Sequence, residues 1–276
     1  MEYLFHHSGD IPRYLNYSID SVLKNDPNSK VSLICSKNYK KRNIETLNIN
    51  EISSDLVKEF LELKYFLNWD KNPLWEASIL RIFYLLEAAK ILKINNFVHF
   101  DSDVILFQPY EKLKNYFQDN LNITPLTSSF LVFGYSYIGN LINFEKICYE
   151  LIKIYKLSEH YERKYYNGKK IIEMKALYIV YSENPQLINL LPIHPKDSKD
   201  FIFDPASYGQ YIGGTHNKHF SKKFTDPNHL LATDLKNKKI IVNLKKDFQN
   251  VIYNKQDYKL VNLHIHSKKL KKYINF

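Results

Sequence analysis

Glycine is scarce in this chain: there are 7 in 276 residues, and only Gly9 falls within the first 130. That excludes the glycine-rich phosphate loop of P-loop NTPases and the G-x-G-x-x-G turn of dinucleotide-binding folds. Cysteine is scarcer still, with Cys35 and Cys148 alone. Both lie in apolar periodic segments, so the pair offers no disulfide scaffold and no zinc-finger spacing, and buried free thiols are expected. The opening MEYLFHHSGD has no basic region and no long apolar stretch, so no secretory signal is expected there. Residues 121–144 are the one charge-free stretch long enough to cross a bilayer. They contain Pro125, Gly134, Gly139 and eight Ser, Thr and Asn residues, and they read as buried sheet and loop.

What is abundant is aromatic and basic. The 22 Tyr and 17 Phe require a largely aromatic core, and 45% hydrophobic with 25% charged residues is ordinary globular composition. The net charge is +10, and residues 236–272 hold 11 Lys against Asp257 and Asp247, which accounts for +9 of it. Nucleic acid, an anionic membrane or a phosphate-bearing substrate would each suit such a segment, as would a solvated basic face.

The first 36 residues read as β-α-β. Tyr3–His6 is a short apolar run, Ser8-Gly9-Asp10 a turn with Asp10 as helix cap, and Leu15, Ile19, Val22 and Leu23 recur on one helical face. Lys30–Cys35 is β-branched and of strand length, which argues for a parallel sheet. A helix is expected around Asp55–Leu67. Asn72 and Pro73 then open a long helix whose apolar face runs from Trp75 to Ala89. Asn95-Asn96 turns the chain into the strand Phe97–Phe100, which ends in Asp101-Ser102-Asp103. A helix follows from Leu141, Ser158–Lys170 reads as an exposed loop, and Glu173–Tyr181 as a helix. Gly209, Gly213 and Gly214 share one segment read as a loop, and Leu260–Ile265 reads as a late strand. No composition shift divides the chain, so one domain over 1–276 is expected.

Asp101-x-Asp103 is the centre of the reading. Two carboxylates closing a buried strand are costly as bare charges. Period-2 alternation keeps them on one side, at the sheet edge where ligands bind. Oxygen ligands there suit Mg²⁺ or Mn²⁺, which in turn holds phosphate. The alternative is a pair of turn or cap aspartates. A second constellation is His264-x-His266-Ser267-Lys268-Lys269, where alternation turns both imidazoles to one face. Asp204 stands just before the glycine-rich segment, a fitting place for an acceptor site, a general base or a structural turn.

The segment RIFYLLEAAKILKINNFVHFDSDVILF resembles the core of the nucleotide-sugar glycosyltransferases of GT-A fold, in which an R-x-x-x-L helix precedes a strand ending in D-x-D. Residues 1–36 are similar to the β-α-β unit that holds the nucleotide base in those enzymes. The resemblance covers roughly 1–36 and 73–110 and is looser beyond. It implies a single GT-A α/β domain with a mainly parallel central sheet flanked by helices, with 1–110 as the nucleotide-sugar half and 111–276 as the acceptor half. It also implies sugar transfer from a nucleoside-diphosphate donor, a UDP-sugar, to a glycan or glycolipid. Mn²⁺ or Mg²⁺ would sit on Asp101 and Asp103. Ser8, Arg81, Ser102, Lys268 and Lys269 would hold the donor. Glycogenin-like relatives use a late His as third ligand; the sequence here departs from their H-x-x-G-x-x-K-P-W pattern, and of His264 and His266 the adjacent lysines favour His266. Glu173 looks like the acidic helix position that contacts the sugars, and with Asp204 it completes the expected catalytic set. A cytoplasmic protein with peripheral contact to an anionic membrane, and no nucleic-acid partner, is expected. The competing readings are a nucleotidyltransferase and a polyanion-binding protein that uses the basic C-terminal segment without catalysis.

Overall fold

The opening β-α-β unit forms as its periodicity requires. In the computed structural model, which describes residues 1–37, 39–41, 43–67, 73–215, 223–245 and 248–274, β1 (Glu2–His7) and β2 (Lys30–Cys35) pair in parallel across α1 (Arg13–Asn25). Pro12, not Asp10, holds the N-cap position of α1; Asp10 instead pairs with Lys37. β3 (Ile44–Asn48) adds a third parallel strand. α2 (Asp55–Glu62) is shorter than its apolar pattern and is capped by Ser54, whose hydroxyl accepts the N–H of Val57. α3 (Leu74–Ile91) begins after Pro73; Asn72, its expected cap, lies outside the described residues.

β4 (Phe97–Phe100) is buried along its whole length, as a central strand covered on both faces must be. β5 (Val104–Leu106) leaves the sheet, and α4 (Tyr110–Leu113) follows. β6 (Leu121–Thr127) and β7 (Phe130–Ile138) form an antiparallel hairpin from the charge-free stretch. Among the described residues no helix is long and apolar enough to cross a membrane. With β8 (Ile188–Leu190), the central sheet runs β3-β2-β1-β4-β7-β6-β8. Its first four strands are parallel, β7 is antiparallel to both neighbours, and β8 is parallel to β6. The molecule is thus α/β with a mainly parallel central sheet flanked by helices, as expected.

α5 (Leu141–Lys156), α6 (Ser158–Tyr166) and α7 (Glu173–Glu183) follow the hairpin. Together with α2 and α3 they supply an aliphatic and aromatic core for one sheet face, while Leu15, Ile19 and Val22 of α1 pack on the other with Phe5, Val98 and Phe100. The segment expected as an exposed loop is therefore helical. Its buried face consists of Tyr161, Tyr166 and Glu162, whose polar atoms hide it from a hydropathy reading. The glycine-rich segment is also a helix, α8 (Ser207–Gly213), after the short β9 (Phe201–Ile202). α9 (Ala232–Lys236) leads into a small sheet, β10 (Ile240–Lys245), β11 (Phe248–Tyr253) and β12 (Gln256–Leu260), closed by β9. The expected late strand is split at Val261: β13 (Asn262–His264) abandons β12 and pairs antiparallel with β5. A short α10 (Lys271–Ile274) closes the described chain.

Candidate active site

Three chain segments converge where β1 and β4 end. Asp101 leaves β4 with its N–H donating to the Gly134 carbonyl at 2.9 Å, and the Val104 N–H returns to the Asp101 carbonyl at 3.0 Å, closing a turn around Ser102. β13 then lies against the chain just past that turn. His264 is in register with Val104, and the Ile265 N–H donates to the Asp103 carbonyl at 2.9 Å. Two segments 160 residues apart in sequence are thereby held in one ladder. The result is a cluster of Asp101, Asp103 and His264 whose ligand atoms all lie within 4.8 Å of one another. His264 Nε2 stands 3.2 Å from an Asp103 carboxylate oxygen and 3.9 Å from one of Asp101. Where the sequence favours His266 as third ligand, the structure brings His264 to the carboxylates. The His266 ring is stacked on it, with centroids 4.7 Å apart.

Each carboxylate also has a cation. Lys268 pairs with Asp103, and its ammonium lies 5.2 Å from the centre of the Tyr14 ring. Arg81, on α3, pairs with Asp101 and, at 3.0 Å, with Glu173 at the start of α7. Arg81 thus pairs with acids from two other parts of the chain and not with Glu76 or Glu87 of its own helix. Burial acts to push the pKa of Asp103 up, but the charges and hydrogen bonds of His264 and Lys268 outweigh it and hold the carboxyl far below the usual range. Burial pushes Glu173 up, and Arg81 opposes it. Burial also keeps His6 neutral, bringing it down to about 3 with help from the Arg81 charge.

These groups line a cavity of about 780 Å³, within the range of small-molecule sites. Ser8, Arg81, Asp101, Ser102, Asp103, Glu173, His264, His266 and Lys268 all reach it. Lys269 is exposed and is not part of its lining. Asp204 is 2% exposed and also stands outside the lining. Its carboxylate accepts three backbone N–H groups, from Tyr208, Gly209 and His264, each at 2.9 Å. Burial raises it to about 6 against those bonds. Asp204 thus caps α8 and holds the backbone of His264, and it lies behind the site rather than in it.

Several lining residues escape the sequence reading: His6, His7, Tyr14, Trp75, Met174, Gln210 and His229. His6 and His7 were within reach of it, since they end β1, the neighbour of the strand that ends in Asp101, and parallel strands collect ligand groups at that edge. His7 Nδ1 is 3.3 Å from the Ser102 hydroxyl, across the two strand ends. Gln210 and His229 carried no local signal, because only the fold of α8 and the segment after it brings them in.

No family model matches the chain, and no curated protein matches it in sequence. Among solved structures it is similar to mouse xyloside xylosyltransferase 1 in its apo form, with 10% identity over 70% of this chain and 86% of that one, at a TM-score of 0.48. It is also similar to the galactosyltransferase LgtC in complex with donor and acceptor sugar analogues, with 14% identity over 86% of this chain and 83% of that one, at 0.43. A third is the glycosyltransferase GlyE of Streptococcus pneumoniae TIGR4, with 13% identity over 66% of this chain and 43% of that one, at 0.40.

Proposed function

We propose that this chain is a nucleotide-sugar-dependent glycosyltransferase that moves a sugar from a nucleoside-diphosphate donor, a UDP-sugar, to a hydroxyl of a glycan or glycolipid. The observation that carries this reading is the convergence of Asp101, Asp103 and His264, with Lys268 beside them, in a cavity at the ends of parallel strands.

The donor set fits a divalent cation. Two carboxylates and one imidazole, with atoms within 4.8 Å of each other, suit Mn²⁺ or Mg²⁺, and the imidazole favours Mn²⁺. Asp101, Asp103 and His264 would hold the ion, which when bound neutralises charge on the departing diphosphate. Lys268 offers a second positive group on the same side, and Ser8 and Ser102 offer hydroxyls for the donor. Arg81 pairs with the half-buried Asp101 and the buried Glu173, so that the metal-side and sugar-side acids keep a constant relation. Glu173 is assigned to the sugar side of the cavity. Asp204 is assigned a positioning role behind His264. The nucleotide half, 1–110, would supply both aspartates, while His264 and Lys268 reach the donor from the C-terminal half.

The test is to incubate the protein with UDP-, GDP- and dTDP-sugars and Mn²⁺ and to measure the nucleoside diphosphate released. Release with one donor, lost in Asp103→Asn, is the expected result. Salt-dependent binding of RNA or DNA without any release would replace this reading with the polyanion-binding one.

A further inference from the structure

The chain around Asp226 and His229 is tied to one face of α8 by two side-chain bonds. Ser207 and Gln210 stand one turn apart on that helix and so share a face. Ser207 Oγ lies 3.0 Å from His229 Nδ1, and Gln210 Oε1 accepts the Asp226 N–H at 3.1 Å. The His229 N–H donates to the Asp226 carbonyl at 3.0 Å, which closes the turn between the two attachments. His229 and Gln210 both line the cavity. The same helix backs the metal cluster, where Gly209 meets the His264 carbonyl.

These bonds decide which atoms are left for a ligand. A backbone N–H can only donate, so the Gln210 amide turns its oxygen to Asp226 and its NH₂ the other way. Gln210 is 8% exposed, and its NH₂ has no partner among the described residues. Ser207 is fully buried, and among the described residues His229 Nδ1 is the one acceptor bonded to its hydroxyl. A buried O–H left without an acceptor is costly, so Ser207 donates to Nδ1 and the ring proton belongs on Nε2. Burial favours the neutral ring that this bond requires. Both residues therefore offer the cavity N–H groups and no acceptor. A sugar hydroxyl placed there would find no acceptor for its own proton on either residue. An oxygen that only accepts, on a carbonyl or a carboxylate, matches both donors.

We infer that His229 and Gln210 form a two-donor subsite for an acceptor-only oxygen, that of an N-acyl carbonyl or a carboxylate, on a sugar bound in this cavity. This rests on the glycosyltransferase reading of the same cavity and adds a substituent to the sugar it takes. The test is calorimetry on the full chain with Mn²⁺ and two series of ligands. Methyl β-glucoside, methyl N-acetyl-β-glucosaminide and methyl β-glucuronide probe an acceptor. UDP-glucose, UDP-N-acetylglucosamine and UDP-glucuronic acid probe a donor. In one series the amide or the acid should bind about tenfold more tightly than the plain glucose compound, the worth of a hydrogen bond to a buried group. The series that shows it tells whether the group is on the acceptor or the donor, and the leading compound separates amide from acid. Gln210→Glu keeps an oxygen for the Asp226 N–H but loses the donor, so it should abolish the preference. Ser207→Ala frees His229 to take its other tautomer and should reduce the preference. NMR of the imidazole nitrogens reads that tautomer without any ligand, and the parent should carry the proton on Nε2. Titration of UDP alone with Mn²⁺ shows that each variant is folded. No preference in either series, a preference that survives Gln210→Glu, or a ring proton on Nδ1 in the parent would overturn the inference, while UDP binding left the transferase reading standing. A preference among the methyl glycosides without any UDP binding would uphold the subsite and remove the transferase reading.

Discussion

At the scale of single residues, the two late histidines make the sharpest contrast. Both line the cavity, but only His264 places a ring nitrogen 3.2 Å from Asp103. His264→Ala should therefore lower Mn²⁺ affinity and reduce turnover by about 10²-fold, the order seen when one charge-stabilising group is removed. His266→Ala removes the ring stacked on His264 and should cost much less. Mn²⁺ binding followed by electron paramagnetic resonance, alongside steady-state kinetics, separates the two. Equal losses would return the third-ligand role to the pair. His6 makes a different case, because its effect is on stability. Its ring is stacked on Tyr84, with centroids 5.8 Å apart, and its buried Nε2 has no hydrogen-bond partner among the described residues. Burial brings it down from 6.5 to about 3, so the neutral ring is the folded form. A group depressed in this way contributes stability above its unfolded value near 6.5, and loses it as pH falls toward 3. At pH 5 the loss from this residue is about 2 kcal/mol, from about 1.4 kcal/mol per pH unit. His6→Phe keeps a ring against Tyr84 and removes the titration, so its stability should fall less between pH 7.5 and pH 5 than that of the parent. Parallel acid losses in urea denaturation would show that His6 is not the group involved.

At the scale of elements, β13 and α8 act as a clamp on His264. Asp204 takes its N–H. A Cβ at Gly209 would stand 1.9 Å from its carbonyl oxygen, so the α8 backbone lies directly on it. A Cβ at Gly134 would stand 2.9 Å from its Nδ1, so the ring has no room to retreat toward β7. Gly134→Ala should displace the imidazole by a few tenths of an ångström and weaken Mn²⁺ binding about tenfold, with little change in melting temperature. Asp204→Asn should do more. An amide nitrogen would face a backbone N–H wherever it is turned, at about 1–3 kcal/mol for the bond lost. A general base would instead show a lost pH limb with Mn²⁺ affinity intact, and that outcome would refute the clamp. None of this could be read from spacing. The strand before Asp101 was legible because four buried residues between an Asn-Asn turn and two aspartates leave little choice. The departure of β13 from β12 to β5 was not, since LVNLHI is a continuous strand pattern and only the pairing with Val104 breaks it. For the same reason His264 could not be told from His266, as alternation puts both on one face and the choice between them is a matter of register. α8 was missed because glycine argues against helix, while its cap, Asp204, and the buried Tyr208 argue for it only once packed.

At the scale of the whole molecule, the charge asymmetry is the feature that the cavity does not absorb. Of the 11 lysines between 236 and 272, Lys268 lines the cavity. Lys236, Lys238, Lys239, Lys269, Lys271 and Lys272 are all exposed, at α9 and around α10. Exposed lysines do little for stability, and single ion pairs such as Lys239 with Asp234 are worth at most about 1 kcal/mol. Their collective effect is a field, and a field of one sign acts on large anionic partners. An anionic membrane surface is the partner proposed here, since a glycolipid acceptor would be presented there. Each lysine near such a surface contributes about 1 kcal/mol, and the interaction fades beyond a Debye length of roughly 10 Å at 0.1 M salt. Replacing Lys271 and Lys272 together by Gln should thus weaken binding to phosphatidylserine vesicles by about 2 kcal/mol, roughly 30-fold. Sedimentation with phosphatidylserine and with neutral phosphatidylcholine vesicles, at low and at physiological salt, measures it. Binding confined to anionic vesicles, reduced by salt and reduced again by the double substitution, is the expected pattern. Equal binding to neutral vesicles would show that the lysines are not what holds the protein to the surface. Tight, salt-sensitive binding to RNA with none to vesicles would assign the basic segment to nucleic acid.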